Sequence, residues 1–321
     1  HRLLSVALVT LGLLGILFIS LGSVNVNWLS KISLLSSITA VFPQSLIILP
    51  GTSTLGVHAN QLAGTLLYFI PFVLSIWIGL WVTRPSKWRW FGWSLLVIFV
   101  IGLLTLTQSR TGWLAFALSL LSVLGLWGLV LSRQQQMYRY IWIAFGLFLF
   151  IGFAGLVWIG PDRLQSFWTD PVQETAVGNF SSIGFRQEVW RWGVTAAADF
   201  PFTGTGLGSF RQVVRRLYPL NVAPDYDIAH AHNIFLQTAL DVGIPGLIVY
   251  LGIIGLAIVL GWIVARQNER LRPYAIGALG SVAAFHFFGL ADAIAPGSKP
   301  HLILWIVLGL ITAMHRLTAV K

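Results

Sequence analysis

Long apolar runs alternate with short polar breaks along most of the chain, and one polar stretch of about eighty residues, 161–241, interrupts the alternation. Eight runs reach or approach the ~20 residues needed to cross ~30 Å of hydrocarbon. They are 3–22, 61–82, 90–107, 112–131, 140–159, 244–265, 273–290 and a shorter one at 302–314. Backbone polar groups in lipid must be satisfied within their own segment, so each run predicts a transmembrane helix. The pattern predicts an all-α, polytopic helical membrane protein with one large loop domain. Its expected divisions are 1–159 with about five helices, 160–243 as the loop domain, and 244–321 with about three helices. The half-apolar stretch 23–60, with Lys31, Pro43, Pro50 and Gly51, fits a segment lying at the interface or re-entering the membrane.

Inside the loop domain, Phe185, Val189, Trp192 and Ala196 recur at three- and four-residue spacing, which predicts an amphipathic helix over 185–200. Ser181 or Ser182 is placed to cap its start and Pro201 follows its end. Such a helix beside membrane spans is expected to lie in the interface plane. Arg186 and Trp190 stand one turn apart on it.

Composition agrees with the pattern: 56% of residues are apolar, 9% are charged and the mean hydropathy is +0.81. Soluble domains carry roughly a quarter charged residues. The net charge of +10 does not point to nucleic acid, because the basic residues are scattered through short loops. They work instead as topology signals. Arg84, Lys87 and Arg89 share one loop, Arg133 and Arg139 a second, and Arg266, Arg270 and Arg272 a third. With eight spans all three lie on one side, which the charge bias makes cytoplasmic, so the loop domain faces outward. Cysteine is absent, which excludes disulfides and thiolate metal or redox sites. The chain enters an apolar run directly from His1, as a fragment of a longer protein would.

The loop domain holds eight of the ten carboxylates, six arginines and two of the seven histidines, so candidate chemistry concentrates there. Gly204-Thr-Gly206-Leu-Gly208 allows backbone N–H groups to approach an anion, or is simply a turn. It follows no strand, which rules out a dinucleotide fingerprint. Arg211 and Arg215 share a face if their segment is helical, and guanidinium groups pair with phosphate in a fork geometry. The other reading is a solvated face balanced by Asp225 and Asp227. His230 and His232 admit three readings: metal ligands completed by Asp225 or Asp227, a general base, or structural histidines. Arg110 lies in a short outward turn with no carboxylate nearby in sequence, and a cation at a membrane edge is a functional hypothesis.

His232-Asn233, nine further residues and Gly243-x-x-Gly246 together resemble the signature of O-antigen ligases and the related O-antigen polymerases. Gln108-Ser109-Arg110, Arg186-x-x-x-Trp190, Pro201-x-x-Gly204-x-Gly206 and His58-Ala-Asn60-Gln-Leu-Ala63 stand in the expected order around it, so the resemblance covers roughly 55–250. It implies a multi-span glycosyltransferase of the bacterial inner (cytoplasmic) membrane, with further spans upstream. Such an enzyme moves a glycan from an undecaprenyl-diphosphate carrier to a sugar hydroxyl on a glycan or glycolipid acceptor, with inversion and without metal or cofactor. On this resemblance Arg110 and Arg186 bind the diphosphate and His232 is the base. Arg211, Arg215, His230, Asn233, Trp190, Gly204, Gly206 and Asn60 line the substrates. A polymerase shares every one of these motifs. An anion transporter of the bicarbonate type is the reading from a different class, although the chain shows no repeat of the kind transporters carry.

Overall fold

The computed structural model describes residues 26–27, 31–41, 57–83, 87–132, 136–161, 182–220, 228–293 and 301–319. The expected first span, 3–22, lies outside these, as do Asp225 and Asp227. The described chain is all-α apart from one parallel pairing of β1 (Val26–Asn27) with β2 (Val57–His58). The helices are α1 (Ser33–Thr39), α2 (Ala59–Leu66), α3 (Ile70–Thr83), α4 (Lys87–Leu106), α5 (Arg110–Val130) and α6 (Gln136–Ile159). Further along the chain come α7 (Ser182–Asp199), α8 (Phe210–Leu217), α9 (Ile234–Gln267), α10 (Arg272–Phe288) and α11 (Leu302–Ala319). Six of the described segments are long and apolar enough to cross a membrane, and α10, at 17 residues, is a little shorter. The protein is a polytopic helical membrane protein.

Two of the expected spans differ in detail. The run at 61–82 is not one helix: the chain breaks between Leu66 and Ile70. Pro71 explains the break, since it has no N–H to give to residue 67 and its ring crowds that carbonyl. The run at 244–265 is the lower part of a longer helix that begins at Ile234, where the Asn233 side chain accepts hydrogen bonds from Phe235 and Leu236 N–H, both at 3.0 Å. Gly243 interrupts this helix with φ 75° and ψ 175°, and Pro245 follows. The piece above the kink belongs to the loop domain's packing; the piece below it is the predicted span.

The membrane core is built on α3, α5 and α10. Small residues let these helices approach. A Cβ on Gly277 would meet Phe72, one on Gly280 would meet Val123 and Pro71, and one on Gly79 would meet Pro273. Ser75 Oγ donates to Pro273 O at 2.7 Å, and Trp127 Nε1 donates to Ser75 Oγ at 3.0 Å. Ser281 Oγ donates to Tyr68 O at 2.5 Å. These contacts set α10 antiparallel to α3. A second, smaller core outside the spans joins Phe185, Val189, Ala196, Phe210, Val214, Tyr218, Ile228, Ala231 and Leu240. It fixes α7 and α8 over the upper piece of α9, with the predicted face of α7 turned inward.

Candidate active site

α7, the loop before α9 and the turn after α10 meet at a buried carboxylate. Asp292 follows α10, which ends on the same side because Ile234 N–H donates to Gly289 O at 2.7 Å. Its Oδ1 lies 3.1 Å from His232 Nδ1 and 3.9 Å from His230 Nε2, and its Oδ2 lies 3.9 Å from an Arg186 nitrogen. Burial works against the charged form of Asp292. The hydrogen bond and charge of His232, with His230 and Arg186 beside it, outweigh burial and hold the carboxyl well below the usual carboxylate range.

An ionised carboxylate only accepts hydrogen bonds, so the proton of the short contact sits on His232 Nδ1. In the neutral ring Nε2 of His232 then carries a lone pair, and among the described residues nothing hydrogen-bonds it. The ring is further held by Phe185, edge-on at 5.4 Å between centroids. His230 is fixed differently: its Nδ1 accepts the His232 N–H at 3.2 Å. Burial first, then the charge of His232, lowers its pKa to about 4, so it is neutral. His232 has φ 50°, a conformation that costs a non-glycine residue about 1–3 kcal/mol and persists only when its surroundings impose it.

Arg186 is mostly buried, yet its Nε has no hydrogen-bond partner among the described residues, and neither does the buried Trp190 Nε1 one turn later. Two orphaned donors on one face are unusual in a finished interior. Arg211, in the first turn of α8, is close enough to His230 to affect its titration, and Arg215 lies one turn on, half-buried.

Not every expected residue joins the cluster. Arg110 opens α5, is exposed, and among the described residues makes no ion pair or hydrogen bond to it. It is placed by Ser109, whose Oγ accepts from Gly112 N–H at 3.2 Å, and by Gln108, whose φ is 51°. Gln108 Oε1 accepts from Lys31 and Ile32 N–H at 2.8 and 2.7 Å. Asn60 stands in the first turn of α2, whose Ala63 packs at Gly112. Asn233 spends its side chain on the α9 cap and on Leu290 O, 3.1 Å from Nδ2. Gly204 and Gly206 form a turn that docks on the α9 kink: Thr205 N–H donates to Leu240 O at 2.6 Å and Ile244 N–H to Pro201 O at 2.7 Å.

Sequence reasoning missed Asp292. The signal was present, since it is one of two carboxylates outside the polar stretch and directly follows a span. His230, His232 and Asp292 also have the ligand atoms for a metal, all within 4.8 Å of one another. Among the described residues the carboxylate that joins the histidines is thus Asp292. Arg186 beside it, and Arg211 near His230, oppose a dication there.

Residues 95–251 match the family described as O-antigen ligase. This part of the chain belongs to the O-antigen ligase family. The match runs from α4 to the kinked helix α9 and includes Arg110, Arg186, His230 and His232; Asp292 lies beyond it. No curated protein matches the chain.

Proposed function

We propose that the protein is an O-antigen ligase-like glycosyltransferase. It transfers a glycan from a polyprenyl-diphosphate carrier, of the undecaprenyl type, to a sugar hydroxyl at the outer face of the bacterial inner membrane. The observation that carries this reading is the His232–Asp292 contact beside Arg186. His232 Nε2 removes the acceptor hydroxyl proton. The acceptor oxygen forms a bond to the anomeric carbon from the face opposite the carrier, and the bond from that carbon to the diphosphate oxygen breaks. Asp292 stabilises the imidazolium that results, while Arg186, Arg211 and Arg110 offset negative charge developing on the leaving diphosphate. The orphaned Arg186 Nε and Trp190 Nε1 supply donors to the same substrate. In this mechanism the arginines supply the positive charge a metal would bring. On this reading 160–243 is the outward domain, between membrane parts 1–159 and 244–321.

The test is transfer in detergent from a polyprenyl-diphosphate-linked oligosaccharide to a glycolipid acceptor. His232→Ala should lower the rate by about 10²–10⁴-fold, with Asp292→Asn also strongly impaired. Wild-type rate in His232→Ala would overturn the assignment. Product ladders with donor alone would make the acceptor a second glycan chain, the polymerase outcome.

A further inference from the structure

Between the two histidines lies a backbone group that the mechanism above does not use. Ala231 is fully buried, and its N–H donates to Gln237 Oε1 at 2.8 Å. Gln237 lies in the first turns of α9 and is itself buried. Its Nε2 donates to Asp241 Oδ1, one turn further on, at 2.9 Å. The same oxygen accepts the Gly208 N–H at 3.1 Å. A continuous hydrogen-bonded chain therefore runs from the turn before α8 to the peptide between His230 and His232.

The chain has only one consistent sense. The Ala231 N–H can only donate, so the Gln237 amide must turn Oε1 toward it and Nε2 toward Asp241 Oδ1, which accepts. That matters because His232 has the positive φ that the loop must hold for Nδ1 to meet Asp292. Asp241 also ties this loop to Gly208, two residues before α8, the helix that carries Arg211.

We propose that Gln237 and Asp241 are positioning residues for the transfer reaction: Gln237 sets the His232 loop against Asp292, and Asp241 keeps that loop in register with the arginine-bearing helix α8. The proposal rests on the reading of His232 as the base. It reaches further, because neither residue touches substrate and the effect is specific to the chemical step.

The experiment uses the full chain in detergent, with kcat and donor KM measured for Gln237→Leu, Gln237→Glu, Asp241→Ala and Asp241→Asn, and thermal unfolding as a check. Gln237→Leu leaves Ala231 N–H without an acceptor and should lower kcat about tenfold or more with donor KM within about twofold. Gln237→Glu has nearly the same volume and sets two carboxylates against each other, so it should show the same split; it decides the matter if Gln237→Leu does not accumulate. Asp241→Asn keeps an oxygen that accepts from both Gly208 and Gln237, and Oδ2 has no hydrogen-bond partner among the described residues. It should retain at least about a third of the kcat that Asp241→Ala loses. A wild-type kcat in both Gln237 variants, a loss expressed in KM instead, or Asp241→Asn as impaired as Asp241→Ala would each overturn the proposal. His232→Ala in the same assay separates the two failures. If it is active, the base assignment and the positioning role fall together; if it is inactive beside fully active Gln237 variants, only the positioning role falls.

Discussion

His230 and His232 share a loop and a carboxylate neighbour, and their hydrogen bonds divide their roles. His232 donates a hydrogen bond from Nδ1–H to Asp292 and leaves Nε2 open; His230 uses Nδ1 as an acceptor for the His232 N–H. The pKa of about 4 for His230 makes it a source of pH-dependent stability. The folded value lies below the ordinary 6.5, so the contribution is fully present above pH 6.5 and is lost as pH falls from there toward 4. Its upper limit is about 3 kcal/mol. Thermal unfolding in detergent should therefore show a midpoint that drops between pH 6.5 and 4, and His230→Asn, whose amide oxygen can accept the same N–H, should flatten that part of the profile. Equal slopes would refute the role. At this scale the sequence was legible wherever a charged or titratable side chain stood out from apolar surroundings, as with Arg186 and the two histidines. Asp292 was harder to read because its partners lie 60 residues and more upstream, and no local pattern joins them.

The elements were legible to the extent that lipid dictates them. A run of apolar residues near the required length has one solution, a helix, so the span limits follow almost directly from the sequence. What lipid does not dictate is where a helix continues past the membrane. The nine residues from Ile234 to Val242, interrupted by Gln237, Thr238 and Asp241, fall in the stretch read as loop, yet they extend α9 upward because Asn233 caps them and because Leu236 and Leu240 pack at Gly193 of α7. The joint between the two pieces depends on close backbone approach. A Cβ on Gly243 would meet Phe202 O, and one on Gly204 would meet Leu240 O; both residues have positive φ. Gly243→Ala should cost about 2–4 kcal/mol, read as a fall in the unfolding midpoint of several degrees. Gly252→Ala provides the contrast. It lies in the same helix with open space around it, and should leave the midpoint unchanged or raise it slightly. Equal behaviour of the two variants would mean that the kink is not a fixed joint.

Taken as a whole, the molecule separates its charges by end. α3, α5, the lower part of α9 and α11 run away from the site, while α4, α6 and α10 run toward it. Arg110, Arg186, Arg211 and both site histidines therefore stand at one end. Lys87, Arg89, Arg139, Arg266, Arg270, Arg272 and Arg316 stand at the other. The second group sits in or beside short connections, where basic residues bias a segment toward the cytoplasm; the first group includes a long loop, which translocates largely regardless of its charge. The charge bias predicts an orientation with the site outward, and the absence of cysteine makes that prediction easy to test. Leu207 is exposed in the turn before α8, and the Glu269 side chain is 83% exposed between α9 and α10. A thiol-reactive reagent that cannot cross membranes should label Leu207→Cys in intact spheroplasts and Glu269→Cys only after lysis. The reverse pattern would place the site on the cytoplasmic face, where a carrier-linked glycan already flipped outward cannot meet His232, and the transfer reading would fail with it.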